Sequence, residues 1–262
     1  MSQTDMSTHH TCSCGDADHA TDPTPSPTLV KDVGHVNLTA DQADALATVW
    51  TVLARVLAEP PTADALDALR SEELLQEWPL LDTPRTTADD LTVALESLAE
   101  SRRAGEDAAA VSDDHMHLVK GPRSPLAYPF ESVHRSREGL VFERETLQVR
   151  GWYSRFGLQA PRLDRDPDDR IDLELEFCST LLRRGLEALD RGDANASEML
   201  FTAHRDFCRE HLLMWAPAFF DQLLTGASTH FYRGMARLGR HALLHARDLL
   251  EPGTSSVPSN GV

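Results

Sequence analysis

An all-α fold, a single-domain helical bundle with disordered termini, is what this chain predicts. Three observations carry that expectation. Apolar residues recur at three- and four-residue spacing across residues 40–250, strand-like alternation is hard to find, and helix start and stop signals bracket the periodic runs. With 262 residues and 41% hydrophobic content, the chain can bury one substantial core. The expected organisation is an arm over 1–37, a helical domain over 38–251 and a tail over 252–262.

Residues 1–37 are rich in Ser, Thr, Asp, His and Pro, with Pro23, Pro25 and Pro27 alternating. So little apolar surface cannot offset the entropy of ordering, and the arm is expected to be disordered. Thr39 to Gln42 reads as a capping box; Leu46, Val49, Trp50, Leu53, Val56 and Leu57 then keep helical spacing until Pro60 and Pro61. Shorter helices are expected over 63–76 and 87–103, the second with Leu91, Leu95 and Leu98 on one face. Residues 114–136, DHMHLVKGPRSPLAYPFESVHRS, read as a long loop stiffened by Pro122, Pro125 and Pro129, with Gly121 permitting the turn before them. A loop of fixed shape is suited to being bound.

A helix over about 143–156 follows, ending near Gly157. After Asp166-Pro167 comes the clearest helix, with Ile171, Leu175, Cys178, Leu182 and Leu189 on one face and Gly192 as its stop. Another is expected over 195–213, then a short one from Trp215 to Leu224 starting near Pro217. The last runs from Ser228 to Leu250, and Pro252-Gly253-Thr254 opens the polar tail. No internal repeat of 20–50 residues is visible.

Charge narrows the function classes. At −17 the chain repels nucleic acid and anionic membrane but attracts a basic peptide. Of the four cysteines, two fall in the arm and two on expected core helices, which is no disulfide framework and points to a reducing compartment. No apolar run approaches the roughly 18 residues of a membrane span, and the N-terminus lacks a basic and apolar leader. The expectation is a soluble cytoplasmic protein with no stable membrane insertion.

Catalytic sets are absent as patterns. Neither G-x-G-x-x-G, a P-loop nor a G-x-S-x-G elbow occurs, and Glu174 and Glu176, two apart on a helix, diverge. His9, His10, Cys12, Cys14 and His19 cluster in the arm, but their spacing matches no usual structural zinc site. An incidental polar tail is the favoured reading; Cys12, Cys14 and His19 are the candidates if metal is bound there. His204 with Cys208, and His241 with His245, lie four apart on expected helices. Without the Glu of a zinc-hydrolase helix they read as core or interface residues.

Four segments in order resemble the TorD/DmsD family of molybdoenzyme maturation chaperones. Gly121-Pro122, a short spacer and Pro129-Phe130-Glu131-Ser132 resemble its loop signature. Asp168-Asp169-Arg170-Ile171 with the run Glu174-Leu175-Glu176-Phe177 resembles the family's hinge and following helix. Phe207, His211, Leu212, Trp215 and Pro217 resemble its F-x-x-x-H-L-x-x-W-x-P segment, and Phe231-Tyr232 its final-helix motif. Arg170 departs from the pattern, since relatives have histidine there, and Lys120 replaces an apolar residue.

The resemblance implies an all-helical, TorD-like chaperone rather than an enzyme. Its partners would be the immature catalytic subunit of a molybdopterin oxidoreductase and that subunit's twin-arginine signal peptide, with export delayed until cofactor insertion. Gly121, Pro122, Tyr128, Pro129, Phe130, Glu131, Ser132, Asp169 and Arg170 are the expected client-binding residues. Glu131 and Asp169 are candidate arginine partners, and Trp152 and Tyr153 are candidate groove walls, although such a pair is more often core. Weak guanine-nucleotide binding, suggested for some relatives, is the only cofactor question the resemblance raises. The alternatives are a chaperone of a non-exported, membrane-anchored molybdoenzyme such as nitrate reductase, or a metal-binding protein or enzyme using the His/Cys clusters.

Overall fold

A computed structural model describes residues 38–79, 85–121, 124–136, 138–161 and 166–250. The arm with Cys12, Cys14 and His19, the tail and Pro122 lie outside the described residues. Among those described there is no strand, and the only β-type pairing is the single antiparallel bridge between Phe130 and Arg170.

The capping box forms as expected. Thr39 accepts from the Gln42 backbone N–H, and the Gln42 side chain accepts from the Thr39 backbone N–H, starting α1 (Ala40–Ala58). The expected 63–76 helix is instead two, α2 (Ala63–Leu69) and α3 (Glu72–Gln76). Two things break it: Arg70 turns its guanidinium to the carbonyls of Ser101 and Glu106, and Ser71 caps α3 by accepting from Leu74 N–H. Helix α4 (Arg85–Arg103) starts two residues before its expected bound.

The loop expected over 114–136 is shorter. Helix α5 (Ala108–His115) is capped by Asp107, whose carboxylate accepts from Ala110 N–H, and it continues as a π-helical turn, Met116–Lys120. Helix α6 (Glu131–Arg135) takes the other end. The prolines all fall between Gly121 and Phe130, so proline stiffening shapes that middle and leaves both flanks free to coil.

Helices α7 (Arg144–Arg155), α8 (Ile171–Asp190) and α11 (His230–Leu250) lie close to their expected bounds, and Gly192 stops α8 with φ of 75°. The segments expected as separate helices over 195–213 and 215–224 form one run: α9 (Ala194–Phe207), a π-helical turn (Cys208–Leu212) and α10 (Leu213–Gly226). Pro217 sits inside α10, one turn beyond the point where the regular ladder is already interrupted.

The bundle is assembled by α1 on α8, α4 on α11, α8 on α9 and α10 on α11. Trp50, Leu53, Leu98, Phe207, Phe219, Phe220 and Tyr232 are fully buried between them. The apolar stripe of each helix is therefore covered by a neighbouring helix, which is the condition for an all-α domain. Among the described residues no helix is long and apolar enough to cross a membrane.

Candidate functional site

Two loops meet at the Phe130–Arg170 bridge. Ile171 N–H donates to the Pro129 carbonyl and Glu131 N–H to the Asp169 carbonyl, both at 2.9 Å, so the end of the proline loop and the start of α8 form one backbone unit. Asp169, fully buried, locks the crossing: its carboxylate accepts from Ser132 N–H and from the Thr146 hydroxyl, each at 2.7 Å. Asp168, also buried, accepts from Arg150 at 2.7 Å, and its carbonyl accepts from the Tyr153 hydroxyl at 3.1 Å.

Glu131 is fully buried beneath this crossing. It pairs with Arg135 one turn on and, at 2.8 Å, with Nδ1 of His211 in the π-helical turn. Trp215 donates to buried Glu174 at 3.0 Å. Phe207, His211 and Trp215, spaced by four residues, thus turn one face toward the loop and hinge, and Phe207 stacks on His211 with ring centroids 5.1 Å apart.

These contacts correct the expectation that Glu131 and Asp169 face an incoming arginine. Each carboxylate is enclosed and already saturated by groups of the same chain, so neither is open to a peptide. Sequence pattern placed acid beside aromatic correctly but could not reveal which way each acid points. Ser132 is buried with them.

Burial pushes the Glu174 carboxyl well above its ordinary value of 4.5, reinforced by the nearby negative charge of Glu131 and only partly opposed by the Trp215 hydrogen bond. A raised folded value means stability present at low pH that is lost as pH rises from 4.5 through the folded value. Replacing Glu174 with Gln keeps an acceptor for Trp215 and removes the buried charge. Glu174→Gln is therefore expected to flatten the pH dependence, so that its stability relative to wild type rises from pH 4.5 to pH 8. Urea titrations of both proteins across that range check it.

The surface that remains open lies on the other side of the bridge. A cavity of about 470 Å³ is lined by Leu57, Val119, Tyr128, Pro129, Phe130, Val133, Leu140, Val141, Arg170 and Asp172. Tyr128, Leu140 and Val141 are exposed, as is the neighbouring Phe142 at 50%, in a left-handed conformation with φ of 62° that is unusual for an aromatic residue. Gly121 holds the loop with φ of 52°, and a Cβ there would lie 2.5 Å from the Ser124 carbonyl oxygen. Only glycine fits that turn. Tyr128 is set by Gln222, which accepts from its backbone N–H, and by His134, whose Nε2 lies 2.8 Å from its carbonyl oxygen.

Arg170 reaches across the cavity wall to Asp172 in a two-pronged pair, Nη2 to Oδ2 at 2.6 Å. A second cavity, of about 260 Å³, adjoins the first through Ala58 and Asp172 and carries exposed Glu176. Lys120, which also lines the first cavity, pairs at 3.5 Å with exposed Glu59. The open site is thus an apolar trough edged by two ion pairs, Arg170 with the largely buried Asp172 and Lys120 with Glu59, with exposed Glu176 beyond them. Sequence reasoning assigned these acids no binding role: Asp172 and Glu176 fall inside the hinge-and-helix segment, where only Asp169 and Arg170 were singled out, and Glu59 is the C-cap of α1.

Trp152 and Tyr153 belong elsewhere. Tyr153 is core, with its ring 4.9 Å from that of Phe177. Trp152 lines a separate cavity of about 580 Å³ with Leu147, Met214 and Arg155, whose guanidinium sits 4.7 Å over the indole ring.

The family described as nitrate reductase delta subunit matches residues 83–221 of this chain. Among curated proteins, the chain is 21% identical to a chaperone protein TorD of Aliivibrio fischeri over 73% of its own length and 88% of the relative's. It is 24% identical to a Tat proofreading chaperone DmsD of Salmonella typhi, over 70% and 77%. A perchlorate reductase assembly chaperone protein of Dechloromonas aromatica is 28% identical over 48% and 55%.

Proposed function

The chain belongs to the nitrate reductase delta subunit family, the group of TorD and DmsD maturation chaperones, and on that premise we propose that it binds the immature catalytic subunit of a molybdopterin oxidoreductase in the cytoplasm and shields that subunit's twin-arginine signal. The family is one of chaperones, not enzymes. The observation that carries the binding reading is the trough between the proline loop and α8, apolar along its floor and edged by the ion pairs Arg170–Asp172 and Lys120–Glu59. A twin-arginine signal is two guanidinium groups followed by an apolar stretch. Its apolar part fits Tyr128, Phe130, Leu140 and Val141; its arginines meet exposed Glu176, and reach Asp172 and Glu59 by displacing Arg170 and Lys120 from them.

Arg170 occupies Asp172 with the same forked geometry that a signal arginine would use. It therefore competes with the ligand. Arg170→His, which restores the residue that resembling proteins carry there, is expected to free Asp172 and tighten a twin-arginine peptide by about tenfold, roughly 1.4 kcal/mol. Calorimetric titration of that peptide into both proteins checks it; unchanged or weaker binding would place Asp172 outside the signal site.

The same pair favours a second reading. With Asp172 already closed by Arg170, the trough also suits an apolar client segment without arginines, as in a non-exported molybdoenzyme. A peptide with both arginines replaced by alanine separates the two: equal affinity favours the second, a loss of about tenfold or more the first.

A further inference from the structure

His204 and Cys208 sit one turn apart at the end of α9, and the packing of α8 against α9 brings Cys178 to them. All three side chains are fully buried. The Sγ atoms of Cys178 and Cys208 are 3.7 Å apart, the Cys208 Sγ is 3.5 Å from Nε2 of His204, and the three ligand atoms lie within 4.8 Å of one another. A tetrahedral zinc ion with Zn–S near 2.3 Å and Zn–N near 2.0–2.1 Å sets sulfur–sulfur edges at about 3.8 Å and sulfur–nitrogen edges at about 3.5 Å. Two of the three edges already have those lengths.

We propose that Cys178, His204 and Cys208 bind a zinc ion that ties α8 to the π-helical turn between α9 and α10. Three features of the cluster favour this ion. Two thiolates and a neutral imidazole around a divalent cation sum to zero charge, whereas a monovalent soft ion would leave an uncompensated negative charge in the core. Thiolate and imidazole donors suit zinc and exclude calcium or magnesium, which take oxygen. Trp50 can only donate through its indole N–H, so its long 3.4 Å contact to Nε2 of His204 marks Nε2 as the nitrogen carrying the lone pair, which zinc would take over from the indole. A fourth, non-protein ligand would complete the tetrahedron.

The consequence is mechanical. Cys208 begins the turn that carries His211, and His211 holds Glu131 under the proline loop. Zinc would fix that turn against α8 at a point where the regular helical ladder is broken.

The test uses the full chain, with Cys12→Ser and Cys14→Ser to remove the sulfur ligands of the arm, purified with its thiols reduced. Elemental analysis after gel filtration is expected to find one zinc per chain, and Co2+ in its place to give a thiolate-to-cobalt charge-transfer band that zinc abolishes. Partners one shell out are worth about 10–100-fold in affinity, so loss of a ligand should cost at least that much. Cys178→Ser and Cys208→Ser should lose the band, and His204→Gln should weaken zinc by more than about tenfold. In the parent, independently of how the variants fold, zinc should protect both cysteines from alkylation as read by mass spectrometry. Absence of stoichiometric zinc, equal binding by variants that keep their helical spectrum, or recovery of Cys178 and Cys208 as a disulfide in zinc-treated protein would each overturn the proposal.

Discussion

Asp169→Ala is expected to lower the stability of the domain by about 3–5 kcal/mol, because the buried carboxylate accepts two hydrogen bonds worth about 1.5–3 kcal/mol each and its loss strands both donors. The stranded donors are the Ser132 backbone N–H and the Thr146 hydroxyl, from two different elements. For a chain of this size the melting midpoint should fall by roughly 2–4 °C per kcal/mol, so by roughly 6–20 °C. A surface carboxylate reserved for a client would leave the midpoint within about 1–2 °C of wild type. Thermal and urea unfolding of Asp169→Ala therefore distinguish the positioning role that the structure gives this residue from the direct binding role that its motif suggested. Any loss of client binding in the variant follows from loosening of the Phe130–Arg170 bridge.

Val141→Asp is expected to do the opposite: weaken a twin-arginine signal peptide by about 10–100-fold while leaving stability within about 0.5 kcal/mol. Val141 is 41% exposed beside Leu140 and Phe142, and it lines the trough without supporting the core. Burying an apolar side chain of that size on binding contributes about 1.5–3 kcal/mol, and a carboxylate there removes that gain. The loss should persist at high salt, since it is hydrophobic; the contribution of Glu59 and Glu176 at the exposed rim should fade.

Helix periodicity and caps made the bundle legible. Thr39 and Gln42, the stop at Gly192 and the stripe of α11 each need only neighbours within a turn, so local sequence states them in full. What escaped were features decided by distant partners. Arg70 divides α2 from α3 by reaching residues some thirty positions on, and the π-helical turns at Met116–Lys120 and Cys208–Leu212 carry no local signature.

The site divides in the same way. The motif residues Phe130, Glu131, Asp169, Arg170, Glu174, His211 and Trp215 do converge, as four segments in the expected order suggested. Their convergence is mostly internal: Glu131 meets His211, Glu174 meets Trp215 and Asp169 meets Ser132, all beneath the surface. The open trough joins loop and hinge residues singled out from the sequence, Tyr128, Pro129, Phe130 and Arg170, to residues of ordinary type, Leu140, Val141 and Asp172, whose role comes only from placement. Motifs mark what must be held in place; the exposed faces those motifs position are invisible until the chain is folded.

The most direct measurement is calorimetric titration of a molybdoenzyme's twin-arginine signal peptide into wild type, Val141→Asp and Arg170→His, with melting curves for each. Binding to wild type, a loss of about 10–100-fold in Val141→Asp and a gain of about tenfold in Arg170→His is the predicted result, with the Val141→Asp midpoint near that of wild type and the Arg170→His midpoint lowered by loss of the pair to buried Asp172. Equal affinity across the three proteins, with all of them folded, would contradict the assignment of the trough as the client site.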